Sequence, residues 1–119
     1  MPPLKTILLV DDELDVREVV VAVLSEPGYT VLTAANGYEA MRILVRGQVD
    51  LLLTDIKLPG VDGFDLACQA TRMRPNLRVL YLSGRDSYVD RYAGPTYGRL
   101  MRKPVRASDL LREVESCFG

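Results

Sequence analysis

The sequence contains no histidine and only two cysteines among its 119 residues. The lack of histidine removes the commonest general base, the commonest transition-metal ligand and any phosphohistidine within the chain itself. Cys68 and Cys117 are too few for a disulfide framework and too far apart for a CxxC metal or redox motif, so we interpret both as small buried thiols. Any chemistry must therefore use carboxylates, hydroxyls and lysine.

An excess of charge of one sign and long hydrophobic runs are also missing. The 15 basic and 16 acidic residues nearly balance, which does not favour a nucleic-acid-binding surface. No apolar run approaches the roughly 20 residues that a membrane span requires, and the first residues lack the apolar core of a signal peptide. These absences predict a cytoplasmic protein without direct contact to membrane or nucleic acid, folded as one domain over residues 1–119.

Short apolar runs alternate with amphipathic stretches along the chain, which is typical of an α/β fold with helices on both faces of a parallel sheet. The apolar runs predict strands at residues 6–10, 30–34, 51–54, 78–82 and 99–102. Helices are predicted after each of the first three strands, with Asp62 capping the third, around residues 87–92, and from Ser108 onward. The predicted inward faces are Val16, Val19, Val20, Val23 and Leu24 on the first helix, and Phe64, Ala67, Cys68 and Thr71 on the third.

Polar residues follow four of the predicted strands, at the edge where open parallel sheets bind ligands. Each of them alone is more simply a helix cap or a turn former. Together they are a chemically coherent set, because three carboxylates, a hydroxyl and an ammonium would meet at one edge. The set consists of Asp11, Asp12 and Glu13 after the first strand, Asp55 after the third, Ser83 and Gly84 after the fourth, and Lys103 after the fifth.

Neighbouring carboxylates without a counter-charge raise one another's pKa, so a divalent cation is expected among them. Oxygen ligands alone favour Mg²⁺ over zinc. Lys103, the Ser83 hydroxyl and the Gly84 amide suit the oxygens of a phosphoryl group, and Asp55 is the candidate nucleophile, since a carboxylate can form an acyl phosphate.

The motifs ILLVDDE, AANGYEAM, LLLTDIKLPGVDGFDL, LSG and KP resemble, in order and close to their spacing, those of response regulator receiver domains, over nearly the whole chain. The resemblance implies a doubly wound α/β fold with a single five-stranded parallel sheet of flavodoxin-like order 2-1-3-4-5 and a cis Lys103–Pro104 bond. In that order, Cys68 and Cys117 lie on opposite faces of the sheet and remain free.

The resemblance also implies a function, a signalling phosphoacceptor rather than an enzyme. A sensor histidine kinase or a phosphotransfer protein would donate a phosphoryl group to Asp55, with Mg²⁺ held by Asp11, Asp12, Asp55 and the backbone carbonyl of Lys57. The phosphorylated domain would then signal to a partner, to an attached output domain, or through a homodimer formed by its fourth and fifth helices and the strand between them.

Ser83 and Lys103 match the switch hydroxyl and the lysine of the family pattern, whereas two features depart from it. The position three residues before the lysine, usually aromatic, is Leu100, for which Tyr97 is a possible substitute. The interval from Ser83 to Lys103 is about two residues shorter than usual and contains Gly94-Pro95, so the fourth helix is expected to be short or distorted.

Two long basic side chains are predicted at the mouth of the site, Lys57 and Arg85. Neither can orient a hydrolytic water as an acceptor, which predicts slow loss of the phosphoryl group.

The sequence argues against three alternative functions. An aspartyl phosphatase needs a second acid two residues after the nucleophile, where this chain has Lys57. A P-loop nucleotide-binding protein needs a glycine-rich loop after the first strand, where Asp11-Asp12-Glu13 stands. A purely structural pseudo-receiver would have lost the acidic pair, the acceptor or the lysine, and all are present.

Overall fold

The computed structural model describes residues 5–84 and 97–119. In this part of the chain, strands and helices alternate: β1 (Thr6–Val10), α1 (Leu14–Ser25), β2 (Thr30–Ala34), α2 (Gly37–Arg46), β3 (Leu51–Asp55), α3 (Gly63–Met73), β4 (Arg78–Ser83), β5 (Gly98–Arg102) and α4 (Ala107–Phe118). The helix predicted around residues 87–92 lies outside the described residues. No described helix combines the length and the apolar composition that crossing a membrane requires.

The strands form one five-stranded parallel sheet in the order β2-β1-β3-β4-β5, which confirms the predicted topology. β3 lies at the centre, and all five of its residues are buried, as expected for a strand covered on both faces. Three strands are one residue longer than predicted, because Asp55 and Ser83 end β3 and β4 and Gly98 begins β5. Two of the candidate site residues therefore belong to the ladder itself.

Alternate residues of each strand point to opposite faces and build two separate cores. Leu8, Val10 and Leu52 pack with α2 and α3, whereas Ile7 and Leu9 pack with α1 and α4 on the other face. The helices thus lie in pairs on the two faces of the sheet, as predicted. Cys117 packs into the core on the α4 side, Cys68 lies on α3 on the opposite side, and both thiols are free, as expected.

The predicted inward helix faces were wrong in part. Val19 is 61% exposed, because it borders an apolar groove of about 350 Å³ between α1 and the residues after β5, which no described side chain fills. On α3 the buried stripe includes Leu66 and Ala70, while Cys68 and Thr71 are only half-buried. α3 contacts α2 as well as the sheet, so its buried face is shifted from the predicted one.

The helix starts and the corner after β5 agree with the sequence. The Asp62 carboxylate accepts a hydrogen bond from the Asp65 amide at 2.9 Å and caps α3, as predicted. Asn36 caps α2 in the same way through the Glu39 amide. The Lys103–Pro104 peptide bond is cis, which also confirms the prediction.

The close approach of β5 to β4 requires a glycine at position 98. A Cβ atom there would overlap the backbone carbonyl of Val79. We expect Gly98→Ala to lower the free energy of unfolding by about 1–3 kcal/mol, because β5 must shift away from its neighbour. Urea denaturation followed by circular dichroism measures this loss.

Gly47→Ala is the matched control, since the nearest atom to its added Cβ is the Ile43 carbonyl oxygen at an ordinary 3.7 Å and its φ is −129°. Its effect should stay within about 0.5 kcal/mol. Equal losses in the two variants would show that the Val79 contact does not constrain β5.

Candidate functional site

The carboxyl ends of β1, β3, β4 and β5 bring polar side chains together at one edge of the sheet. Asp11, Asp55 and Ser83 are buried there, with relative exposures of 0%, 6% and 2%. Buried polar groups are costly unless they are hydrogen-bonded or paired, so their partners define the site. The structure thus brings together the residues that the sequence predicted at this edge.

Lys103 is the cation of the site. Its Nζ atom lies 2.8 Å from Asp11 Oδ2 and 3.1 Å from Asp55 Oδ2, and 3.9 Å from Glu13 Oε1. The Lys103 amide donates to the Ser83 carbonyl at 2.7 Å, which continues the pairing of β4 with β5 by one residue. The lysine is therefore fixed at its backbone and bridges two buried carboxylates with its side chain.

The three aspartates lie close enough to share one cation. Carboxylate oxygens of Asp11, Asp12 and Asp55 all lie within 4.8 Å of one another. Asp12 is exposed, and within the described residues its side chain has no hydrogen-bond or ion-pair partner. Asp12 thus offers an uncommitted carboxylate beside two that are already bound to lysine.

The site carries more negative charge than Lys103 can compensate. Burial raises the pKa of Asp55, and the Asp11 carboxylate adds to this, whereas the Lys103 ammonium and the Lys57 amide act in the opposite direction. Burial alone would lower the pKa of Lys103, but its hydrogen bonds to Asp11 and Asp55 outweigh this and raise it. Lys103 therefore remains a cation, and ionised Asp55 is stabilised by any further positive charge.

The turn from β1 into α1 has a hydrogen-bonding residue that the sequence reasoning missed. Asp11 Oδ1 accepts from the Glu13 amide at 2.9 Å, and the Asp11 backbone carbonyl accepts from Arg17 Nη1 at 2.6 Å. A cation in the first turn of a helix runs against the helix dipole and was the signal that could have identified Arg17.

The start of α3 packs directly against the backbone of Asp55. The Gly63 amide donates to the Ile56 carbonyl at 2.6 Å, and a Cβ at Gly63 would overlap the Asp55 carbonyl oxygen. Thr54 Oγ1 donates to the same Asp55 carbonyl at 2.8 Å. Gly63 and Thr54, which the sequence reasoning did not single out, thus fix the position of Asp55.

The mouth of the site is a cavity of about 450 Å³. Its lining residues are Asp12, Glu13, Asp55, Lys57, Leu58, Pro59, Gly84 and Lys103. Lys57 is exposed, and its amide donates to Asp55 Oδ1 over a long 3.4 Å. Ser83 Oγ donates to the carbonyl of the next residue, Gly84, at 3.1 Å. Arg85 lies outside the described residues.

A buried tyrosine lies beside Leu100. The register of β4 with β5 pairs Leu100 with Tyr81, which is 1% exposed and packs on Phe64 with ring centroids 5.0 Å apart. Tyr97, the possible aromatic substitute, lies just before β5 and is 36% exposed, and its amide donates to the Tyr81 hydroxyl at 3.3 Å. The buried aromatic residue beside Leu100 is therefore Tyr81 on β4.

Comparisons with known proteins agree with this geometry. The family model of the response regulator receiver domain matches residues 7–115. The response regulator receiver protein CpdR of Brucella abortus (strain 2308) is 36% identical over 94% of this chain and 95% of its own length. The regulatory protein VanR of Enterococcus faecium is 33% identical over 92% of this chain, which spans 48% of VanR.

A solved structure gives the same result. The response regulator protein TrrA of Thermotoga maritima, crystallised in complex with Mg²⁺-BeF, superposes with a TM-score of 0.87 and is 29% identical. The match covers 96% of this chain and 99% of the Thermotoga chain.

The raised pKa of Asp55 predicts how pH affects the stability of the metal-free protein. A carboxyl whose pKa is raised on folding favours the folded state below its unfolded pKa of about 3.9, and this contribution is lost as the pH rises through the folded pKa. At pH 7.5 in EDTA, Asp55→Asn should therefore unfold at a higher urea concentration than the wild type, and this advantage should shrink as the pH falls toward 4.

Asp65→Asn is the control for this prediction. Asp65 is exposed in the first turn of α3, where the helix dipole favours a negative charge, so its replacement should not stabilise the protein at pH 7.5. An Asp55→Asn protein less stable than the wild type at pH 7.5 would contradict the direction of the Asp55 pKa shift.

Proposed function

This chain belongs to the response regulator receiver domain family, and we propose that it accepts a phosphoryl group on Asp55 in a Mg²⁺-dependent reaction. Accepting a phosphoryl group is the standard role of receiver domains in two-component systems. The observation that carries the residue assignment is the meeting of buried Asp55 with two further aspartates and with Lys103 Nζ at 3.1 Å. We take residues 1–119 as one such domain.

The residues of the site suit Mg²⁺. Asp11, Asp12, Asp55 and the Lys57 carbonyl would hold the ion, all through oxygen atoms, which are the ligands that Mg²⁺ prefers. The excess negative charge around Lys103 is a second reason for a cation here, since burial and Asp11 both penalise ionised Asp55. When bound, the ion would neutralise these carboxylates and take an oxygen of the phosphoryl group. The complex of the Thermotoga relative with Mg²⁺-BeF supports this choice of metal.

The nucleophile in this proposal is a carboxylate oxygen of Asp55. The donor is a sensor histidine kinase or a phosphotransfer protein, because this chain has no histidine of its own to phosphorylate. A new P–O bond forms to Asp55 while the P–N bond of the donor's phosphohistidine breaks, and its electron pair stays on the imidazole. Asp55 is ready for this role because Lys103 and the start of α3 hold it in place.

Lys103, Ser83 and Gly84 bind the transferred group. The Lys103 ammonium already contacts Asp55 and can pair with a phosphoryl oxygen as charge is added there. Ser83 Oγ must leave the Gly84 carbonyl to donate to the phosphoryl group, so its rotation links the modification to β4. Signalling then passes to a partner, to an attached output domain or to a second copy through the face that includes β5 and α4. Leu100 on β5 is paired with the buried Tyr81 of β4.

We assign the protein to the cytoplasm as part of this proposal. Both thiols are free, which is the usual state of cysteines in a reducing compartment.

Phosphorylation by a small donor tests the assignment of Asp55. We expect acetyl phosphate with Mg²⁺ to add one phosphoryl group to the wild-type protein, measured by intact-mass spectrometry. EDTA should prevent the addition, and Asp55→Asn should abolish it because the amide is not a nucleophile. Asp65→Asn, which removes an exposed carboxylate, should be labelled as the wild type is. Equal labelling of Asp55→Asn would refute the assignment.

The lifetime of the acyl phosphate tests the roles of Lys57 and Arg85. Both are cationic and cannot orient a water as a carboxylate or an amide oxygen does, so we expect slow self-dephosphorylation. Lys57→Asn and Arg85→Glu should each speed the loss of the phosphoryl group severalfold after the donor is removed, as followed by intact mass. Arg72→Asn, at an exposed arginine near the far end of α3, should leave the rate unchanged. If neither site variant speeds the loss, these residues do not control hydrolysis, and recognition of a partner explains them better.

A further inference from the structure

Arg17 binds the acidic turn from the side of α1. It is half-buried near the start of that helix, and its Nη1 atom donates to the backbone carbonyl of Asp11 at 2.6 Å. Hydrogen bonds from a guanidinium are charge-assisted and roughly twice as strong as those between neutral groups. The contact therefore fixes the backbone at the point where β1 ends.

The position of Arg17 is not explained by helix formation. The first turn of a helix favours negative charge, and a cation there is unfavourable unless something else compensates it. Glu13, at the N-cap of α1, makes no side-chain capping bond, so the turn depends on other contacts. The contact with Asp11 supplies one of them.

The Asp11 amide pairs with the Ala34 carbonyl at 3.1 Å and so continues the strand pairing. Beyond that pairing, Asp11 accepts three hydrogen bonds, which differ in the atoms that they use. The Glu13 amide binds Asp11 Oδ1 and Lys103 Nζ binds Asp11 Oδ2, so both occupy carboxylate oxygens that a cation would also seek. Of the three, only the Arg17 contact uses a backbone carbonyl and leaves the carboxylates free. It can therefore persist when a cation enters the site.

Asp12 depends on this backbone more than Asp11 does. Within the described residues its side chain has no partner, so its place beside Asp11 and Asp55 is set by the backbone that precedes it. We propose that Arg17 is a positioning residue for the acidic pair, holding the Asp11–Asp12 backbone so that the Asp12 carboxylate faces the metal site. This inference rests on the proposed function, because it assigns Arg17 a part in binding Mg²⁺.

The charge of Arg17 and its hydrogen bond affect metal affinity in opposite directions. A cation near the site repels Mg²⁺, so removing only its charge would tighten Mg²⁺ binding. Removing a positioning contact would weaken binding, typically by about 10- to 100-fold for groups that orient metal ligands. The sign of the change therefore separates the two roles.

A titration with Mg²⁺ alone makes the test, followed through the amide chemical shifts of residues 11–13 and 55–57 in the ¹⁵N-labelled protein. We expect Arg17→Met to raise the half-saturating Mg²⁺ concentration about tenfold. Arg17→Lys keeps the charge and one donor and should show a smaller rise. Arg72→Met removes an exposed cation near the C-terminal end of α3 and should bind Mg²⁺ as the wild type does.

Acetyl phosphate labelling of the same proteins gives a second readout. At limiting Mg²⁺ the Arg17→Met protein should be labelled more slowly, and at saturating Mg²⁺ its rate should return to within about twofold of the wild type, because Arg17 acts on metal binding alone. If Arg17→Met does not fold, the Arg17→Lys protein decides by the same titration.

The outcomes distinguish this inference from the function on which it rests. Unchanged or tighter Mg²⁺ binding by the Arg17 variants, with normal binding by the wild type, overturns the positioning role and leaves the proposed function intact. If neither the wild type nor Arg72→Met shows Mg²⁺-dependent chemical shifts, the proposed function is overturned, and the role of Arg17 with it.

Discussion

The arrangement of the site depends on the ion pairs of the Lys103 ammonium with Asp11 and Asp55. Asp11 and Asp55 lie 92 and 48 positions before Lys103 in the chain, and within the described structure its ammonium is the cation between these two buried carboxylates. β4 separates β5 from β3, so the lysine must reach across a strand, and strands lie about 4.8 Å apart. The hydrogen bond from the Lys103 amide to the Ser83 carbonyl fixes the backbone position from which the side chain extends to the site.

Much of this arrangement could be predicted from the sequence because the signals are local. Each apolar run predicts a strand, and the polar residue that follows it is predicted at the carboxyl edge of the sheet. This was enough to predict that Asp11, Asp55, Ser83 and Lys103 lie together. The strand order came from the resemblance to receiver domains, not from periodicity. The ends of β3 and β4 were placed one residue early because a polar side chain resembles the start of a loop, although the backbones of Asp55 and Ser83 remain paired.

The features that could not be predicted are contacts that only the folded chain shows. The cation at position 17 in the first turn of α1 signals a compensating partner, but only the fold shows that this partner is the Asp11 carbonyl. Gly63 resembled an ordinary turn glycine, whereas the packing of α3 on Asp55 leaves no room for a Cβ. Val19 matched the apolar spacing of α1, yet it borders an open groove, because periodicity predicts a face and not the neighbour that covers it.

The site lowers the stability of the folded, metal-free protein, and the buried strands of the sheet compensate for this loss. Burial, with a smaller contribution from Asp11, makes ionised Asp55 unfavourable in the metal-free protein despite Lys103, as expected where a site is built to bind charge rather than to stabilise the fold. The strands that carry the two buried aspartates are the two most deeply buried, since Ile7 to Val10 and Leu51 to Leu53 are all 0% exposed. Their apolar side chains pack into both cores and fix the positions of the strand ends. Without a metal, the two buried carboxylates are held close together by the packed strands that precede them and by Lys103, which pairs with both.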